Sequence, residues 1–213
     1  MTARLPGLFE PSEIALGPGA VLLRDFALGE QDELIAGIEA IAQAAPFRRM
    51  VTQGGFTMSA AMTNCGDAGW VTDRTGYRYS AVDPVSGKPW PPMPAMFLTL
   101  ASQAAAKAGY SGFAPDSCLI NCYLPGARMS LHQDRQEEAL EAPVVSVSLG
   151  LPAIFLWGGK LRGDRAMRIA LHHGDVVVWG GESRLNFHGI APVKTGCHPL
   201  VGEMRYNMTF RKR

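Results

Sequence analysis

From Glu30 to Ala45 the apolar residues Leu34, Ile35, Ile38, Ile41, Ala42 and Ala45 recur at intervals of three and four. That spacing gathers side chains on one face of an α-helix, and Pro46 ends the pattern. A second helix is predicted over Pro94–Lys107, opened by proline in its first turn and closed by Gly109, with Met96, Phe97, Leu100 and Ala104 on one side. After Pro115 the period changes to two. Ser117–Tyr123, Val144–Leu149, Ile154–Trp157, Met167–Leu171, Asp175–Trp179, Phe187–Ile190 and Arg205–Phe210 are rich in β-branched and aromatic residues and separated by Gly, Pro and Asp turns, so each reads as a strand. Ala20–Arg24 is a further short strand-like run, whereas Met1–Pro18, interrupted by Pro6, Pro11 and Pro18, reads as a loosely held segment. Many short strands within about 95 residues suggest a double-sheet barrel or jelly roll flanked by helices, a mainly β chain of the α+β class.

Between the helices, from Phe47 to Pro92, helical periodicity is weak and glycine, methionine, threonine and aromatics dominate. Gly54 and Gly55 separate Met50-Val-Thr from Phe56-Thr-Met, a plausible hairpin because glycine accepts the positive φ such turns require. Trp70, Tyr77, Tyr79 and Trp90 are spread through loop-forming sequence. They suit either a satellite hydrophobic cluster or a lid whose rings stack on a flat substrate such as a nucleobase.

Composition narrows the class. A chain of 213 residues with 47% hydrophobic and 18% charged residues can bury a core of its own, which excludes disorder and suggests one domain spanning 1–213. A net charge of +1 excludes a global basic field, so a nucleic-acid partner has to be held by a local patch. Arg211-Lys212-Arg213 is one candidate, with the last two residues expected to form a solvated tail. Cys65, Cys118, Cys122 and Cys197 form no CxxC pair. On one strand Cys118 and Cys122 lie roughly 13 Å apart, too far for a disulfide, which points to reduced thiols. No apolar run approaches the roughly 20 residues needed to span a bilayer and no targeting segment is evident, so a cytoplasmic protein without membrane association is expected.

The candidate chemistry lies in two places. His132-Gln-Asp134 puts an imidazole and a carboxylate at i and i+2, on one side of an extended backbone. His188 follows 54 residues after Asp134, beyond several strand-like runs that can carry the chain back. Two histidines and one carboxylate on one side of an ion suit non-haem Fe(II), because the remaining positions stay open for substrate and oxygen. In the last strand Arg205, Asn207, Thr209 and Arg211 alternate with Tyr206, Met208 and Phe210, so two guanidinium groups share a face. Inward-facing, they need anions, either structural Asp or Glu partners or a bound carboxylate. Asn121 and Tyr123 add neutral donors if their strand lines the same cavity. A metal beside a dicarboxylate pocket implies a keto-acid cosubstrate more readily than a hydrolytic zinc centre.

These motifs, with Ser146-Val-Ser-Leu-Gly-Leu-Pro, Gly174-Asp-Val-Val-Val-Trp-Gly-Gly-Glu-Ser-Arg and Arg205-Tyr-Asn-Met-Thr-Phe-Arg211, together resemble the AlkB family of iron- and 2-oxoglutarate-dependent nucleic-acid demethylases. Met50-Val-Thr, Thr57-Met-Ser, Met62-Thr-Asn-Cys-Gly, Lys88-Pro-Trp and Ala114–Tyr123 extend the resemblance over nearly the whole chain after the first two dozen residues. It implies a double-stranded β-helix core over 116–211 with a nucleotide-recognition lid over 47–92. It implies Fe(II) held by His132, Asp134 and His188. For 2-oxoglutarate, Arg205 would pair with the distal carboxylate, supported by Asn207 and Tyr123, while Asn121 and Arg211 lie nearer the keto-acid end. Thr52, Met62, Trp70, Tyr77, Gln136, Glu137 and Arg162 match substrate-side positions, with Trp70 and His132 sandwiching the damaged base. At Gln136 this chain departs from the aspartate found in other bacterial members.

The resemblance implies a monomer that removes methyl groups from N1-methyladenine and N3-methylcytosine in single-stranded DNA, and in duplex DNA or RNA as further substrates. The reaction consumes 2-oxoglutarate and O2 and releases succinate and formaldehyde, a direct reversal of damage. The alternatives are a hydroxylase of the same metal class acting on a protein or small molecule, and a non-catalytic cupin-like sensor.

Overall fold

A computed structural model of the chain describes residues 11–135 and 137–213. Among these residues thirteen strands and two α-helices follow in the order β1 (Glu13–Gly17), β2 (Ala20–Leu23), α1 (Gln31–Ala44), β3 (Ala61–Gly66), β4 (Gly69–Asp73), β5 (Gly76–Ser80), α2 (Ala95–Lys107), β6 (Ser117–Tyr123), β7 (Met129–His132), β8 (Val144–Gly150), β9 (Ala153–Trp157), β10 (Met167–Leu171), β11 (Val176–Trp179), β12 (His188–Ile190) and β13 (Arg205–Arg211). The larger sheet runs β1-β2-β11-β8-β13-β6-β3 and the smaller β10-β9-β12-β7, while β4 and β5 pair only with each other. Every pairing is antiparallel. The chain is therefore mainly β, with two facing sheets in a jelly-roll arrangement.

The apolar stripe of α1 and that of α2 lie on the outer face of the larger sheet. Leu34, Ile38, Phe97 and Leu100 join Tyr206, Met208 and Phe210 of β13 in one buried cluster. The inner face packs Leu22, Val177 and Trp179 against Phe155, Trp157 and Ile190 of the smaller sheet. Helices on one side and a second sheet on the other thus leave the inner face of β13 and β6 to line whatever space the sheets enclose.

Three expectations need correction. Met1–Pro18 is not loosely held throughout, because Glu13–Gly17 is an edge strand on β2; Pro18 occupies the connecting turn and breaks nothing. Its first ten residues lie outside the described part. Segment 47–92 holds three strands, of which β3 enters the larger sheet beside β6. The sequence of β3 hides this because Thr63 and Asn64 are polar yet buried, hydrogen-bonded to Ala45 and Trp70. Lys212 and Arg213 are no free tail, since both bond Asp116, at 2.9 and 3.4 Å through their side chains. The turn at Gly54-Gly55 is as predicted, with Gly55 at φ +82° and Val51 bridging Thr57. All four cysteines are free. Among the described residues no helix is long and apolar enough to cross a membrane.

Candidate functional site

Strand β12 pairs antiparallel with β7 so that His188 lies directly opposite His132. Gly189 makes this approach possible, because a Cβ there would meet the Met129 carbonyl oxygen at 2.6 Å. Asp134 follows just past the end of β7. The 54-residue gap is thereby closed, and one ligand atom from each of His132, Asp134 and His188 lies within 4.8 Å of the others. Nε2 of His132 is 3.7 Å from Asp134 Oδ1 and Nε2 of His188 is 3.9 Å from Oδ2. Each imidazole is oriented from behind by a main-chain carbonyl, Nδ1 of His132 to Ser130 at 2.9 Å and Nδ1 of His188 to Asn186 at 3.1 Å. With Nδ1 carrying the proton, both Nε2 lone pairs face the centre of the cluster, the tautomer a metal ligand requires. Burial and the neighbouring His132 push the His188 imidazole down to about 4, so it is neutral near pH 7.

Arg211 controls the carboxylate. Its Nε and Nη2 both donate to Asp134 Oδ2, at 2.9 and 2.7 Å, which leaves Oδ1 turned toward His132. Burial alone would raise the Asp134 carboxyl, but the Arg211 guanidinium outweighs it and holds the group well below the usual carboxylate range. The donor set of two imidazoles and one carboxylate, gathered on one side, fits Fe(II) by its chemistry.

The cavity beside this cluster measures about 910 Å³. By strand alternation β13 sends Arg205, Asn207, Thr209 and Arg211 into it, and β6 sends Leu119, Asn121 and Tyr123. Arg205 is 1% exposed, with its guanidinium carbon 5.0 Å over the Tyr123 ring. Its Nη2 donates to Ser148 Oγ at 3.0 Å, whereas among the described residues Nε and Nη1 have no hydrogen-bond partner, and neither does Asn121 Oδ1. Burial pulls the Arg205 guanidinium down, and no carboxylate among the described residues pairs with it. A buried guanidinium with two idle nitrogens suits an anion that the described residues do not supply, and 2-oxoglutarate carries a carboxylate of that kind. Asn207 is held by Ser146 Oγ at 2.8 Å, the Val147 carbonyl at 3.1 Å and Thr209 Oγ1 at 3.1 Å.

Around the cavity stand Thr52, Met62, Trp70, Tyr77 and Arg162. Trp70 stacks on Tyr77 with ring centroids 5.5 Å apart. Arg162 donates to the Leu131 carbonyl at 3.0 Å and lies over the Phe187 ring, so it is docked beside the His132 strand. Glu137 does not line the cavity. Glu137 is 5% exposed, and its carboxylate is shared by Tyr79 Oη at 2.9 Å, Arg184 Nη2 at 3.3 Å and Arg211 Nε at 3.3 Å. Gln136 lies outside the described residues. Ser146, Ser148, Phe155, Trp179 and Arg184 also line or brace the site, with no role expected of them from the sequence. Alternation along β8 could have found the two serines; nothing local marks Arg184, which reaches the Asp134 carbonyl at 3.1 Å across 50 residues.

The sequence model of the 2OG-Fe(II) oxygenase superfamily matches residues 19–211. The chain is similar to the alpha-ketoglutarate-dependent dioxygenase AlkB of Escherichia coli strain K12, 59% identical over 203 residues that cover 95% of this chain and 94% of that one. It is 57% identical over 202 residues to the protein of the same name from Salmonella typhimurium, again covering 95% and 94%. Among solved structures, that of OsALKBH1 superposes with a TM-score of 0.84 at 28% identity, covering 94% of this chain and 100% of that one.

Proposed function

The chain belongs to the AlkB family within the 2OG-Fe(II) oxygenase superfamily, and from that premise we propose that it is an Fe(II)- and 2-oxoglutarate-dependent dioxygenase that demethylates alkylated bases in DNA. Its substrates in this reading are N1-methyladenine and N3-methylcytosine, chiefly in single strands, with duplex DNA and RNA as further substrates for a monomeric, cytoplasmic enzyme. The observation that carries the reading is the pairing, in one cavity, of the His132–Asp134–His188 cluster with an Arg205 guanidinium two of whose nitrogens meet no hydrogen-bond partner among the described residues. A hydrolytic metal site has no use for the second feature.

His132, Asp134 and His188 would hold the iron, which, with 2-oxoglutarate and O2, supplies the oxidation of the methyl carbon that ends in formaldehyde and succinate. The protein's part is positioning. Arg211 fixes the Asp134 carboxylate by two hydrogen bonds, and the carbonyls of Ser130 and Asn186 fix the imidazoles. Arg205 would receive the distal carboxylate of 2-oxoglutarate through Nε and Nη1, with Tyr123 beneath its plane and Asn207 beside it; Asn121 and Arg211 would flank the other end. Segment 47–92 would act as the lid, its stacked Trp70 and Tyr77 clamping the base against His132, with Thr52, Met62 and Arg162 completing the wall. Gln136 would contact the exocyclic edge of the base by hydrogen bonding alone, where an aspartate would add charge. The edge that carries the methyl group is hidden in a duplex, so the nucleotide must be extruded, and methylation that blocks pairing lowers that cost.

The deciding experiment loads the protein anaerobically with Fe(II) and 2-oxoglutarate, then adds O2 and a methylated oligonucleotide while formaldehyde and succinate are measured. Both products are expected, and neither from the His132→Ala variant. Succinate without formaldehyde would favour a protein or small-molecule hydroxylase; neither product would favour a sensor.

A further inference from the structure

Tyr79 and Glu137 line no part of the cavity, yet they join its two ends. Tyr79 lies on β5 directly opposite Trp70 of β4, and Tyr77, two residues before it, stacks on the same Trp70. The β4–β5 ribbon pairs with neither large sheet, and an isolated two-stranded ribbon is marginally stable, so side-chain contacts decide where it rests. On one side Asn64 of β3 holds the main chain of Trp70 with two hydrogen bonds, at 3.0 and 3.1 Å. On the other, Tyr79 Oη donates to Glu137 at 2.9 Å. The direction of that bond is certain, because the carboxylate only accepts and burial pushes the Tyr79 phenol above its ordinary range.

Glu137 passes the contact on. Its carboxylate faces Arg211 Nε and Arg184 Nη2, each at 3.3 Å. Arg211 clamps the Asp134 carboxylate and Arg184 bonds the Asp134 carbonyl at 3.1 Å. The four charged groups, all buried, form one balanced cluster of two carboxylates and two guanidiniums in which no member can turn without uncovering another. Tyr79 is the only ribbon residue hydrogen-bonded to that cluster among the described residues.

We infer that Tyr79 is a positioning residue that couples nucleic-acid binding on the β4–β5 ribbon to cosubstrate binding beside Asp134, through the Tyr79–Glu137–Arg211 chain. The inference rests on the function proposed above. A base stacked on Trp70 and Tyr77 settles the ribbon, which seats Tyr79 on Glu137 and leaves Arg211 aligned on Asp134; a keto acid bound beside Arg211 acts through the same bonds in reverse. Such coupling is reciprocal by thermodynamic necessity.

The test uses the full chain loaded anaerobically with Fe(II). 2-Oxoglutarate is titrated by the visible charge-transfer absorption of the chelated keto acid, with and without a methylated single-stranded oligonucleotide, and the oligonucleotide is titrated by fluorescence anisotropy with and without 2-oxoglutarate. The parent is expected to bind each ligand about fivefold or more tightly in the presence of the other. In Tyr79→Phe the mutual factor falls to within about twofold of one while the absorption band persists and each ligand still binds alone. Glu137→Gln, which keeps the volume but not the charge, should uncouple as well. Tyr110→Phe removes a hydroxyl bonded to the Gly19 carbonyl, outside the Tyr79–Glu137–Arg211 chain, and should keep the parent factor. A parent without coupling, or a Tyr79→Phe protein that keeps the parent factor even with both affinities weakened, overturns the inference. If the parent binds neither ligand, the proposed function fails first and the inference falls with it.

Discussion

Arg211 holds one oxygen of Asp134 with two N–H groups, at 2.9 and 2.7 Å, although 77 residues separate them. The fork of a guanidinium sets the plane of the carboxylate, which a single ammonium cannot do. Arg211→Lys is therefore expected to keep the charge and the fold but to weaken Fe(II) binding by about 10–100-fold, the range found when an outer partner of a metal ligand is lost. Anaerobic metal titration checks it; parent-like affinity would show that the second hydrogen bond is idle.

Arg205 presents the opposite situation, a buried guanidinium with two nitrogens idle among the described residues. Arg205→Met should leave the ligand-free protein no less stable than the parent, since removing an unpaired buried charge relieves desolvation. It should also abolish the stabilisation by 2-oxoglutarate, which in the metal-loaded parent reaches about 2.7 kcal/mol at a hundredfold excess over Kd. Thermal melts of both proteins with and without 2-oxoglutarate separate the two effects.

Trp70 is partly exposed and stacked on Tyr77 at the cavity rim. Trp70→Ala should raise KM for a methylated oligonucleotide by a factor corresponding to about 1–3 kcal/mol, the worth of one base–aromatic stack. Binding of 2-oxoglutarate by itself should change little. Unaltered KM would remove Trp70 from the base-binding surface.

A pH dependence of stability is built in away from the site. His173 accepts the Gly150 N–H at Nδ1 and meets Gln31 Oε1 at Nε2, both at 2.8 Å, an arrangement that only the neutral ring can satisfy. Burial and the stacked His198 push its imidazole down to about 4 from an ordinary 6.5. Below pH 6.5 the unfolded chain takes up a proton that the folded chain refuses, so the contribution is complete above 6.5 and is lost as pH falls toward 4. Urea unfolding at several pH values should show this slope, and His173→Gln should flatten it.

Local pattern determined much of this protein. The inward face of β13 with Arg205, Asn207 and Arg211, the outward face with Tyr206, Met208 and Phe210, and the placing of Asn121 and Tyr123 all follow from a two-residue period that needs no knowledge of distant chain. The two helices were legible for the same reason, each burying one stripe. What depended on contacts far along the chain was not legible. That His188 comes opposite His132 is set by the register of β12 on β7, and that Arg211 serves Asp134 is set by how the two sheets close. Glu137 illustrates the limit most clearly. The family resemblance placed it among substrate-side positions, and only the packed structure surrounds its carboxylate with Tyr79, Arg184 and Arg211. A side chain's intrinsic chemistry is written in the sequence; whether that chemistry is free to act depends on which distant charges burial forces beside it, and tertiary structure alone decides that.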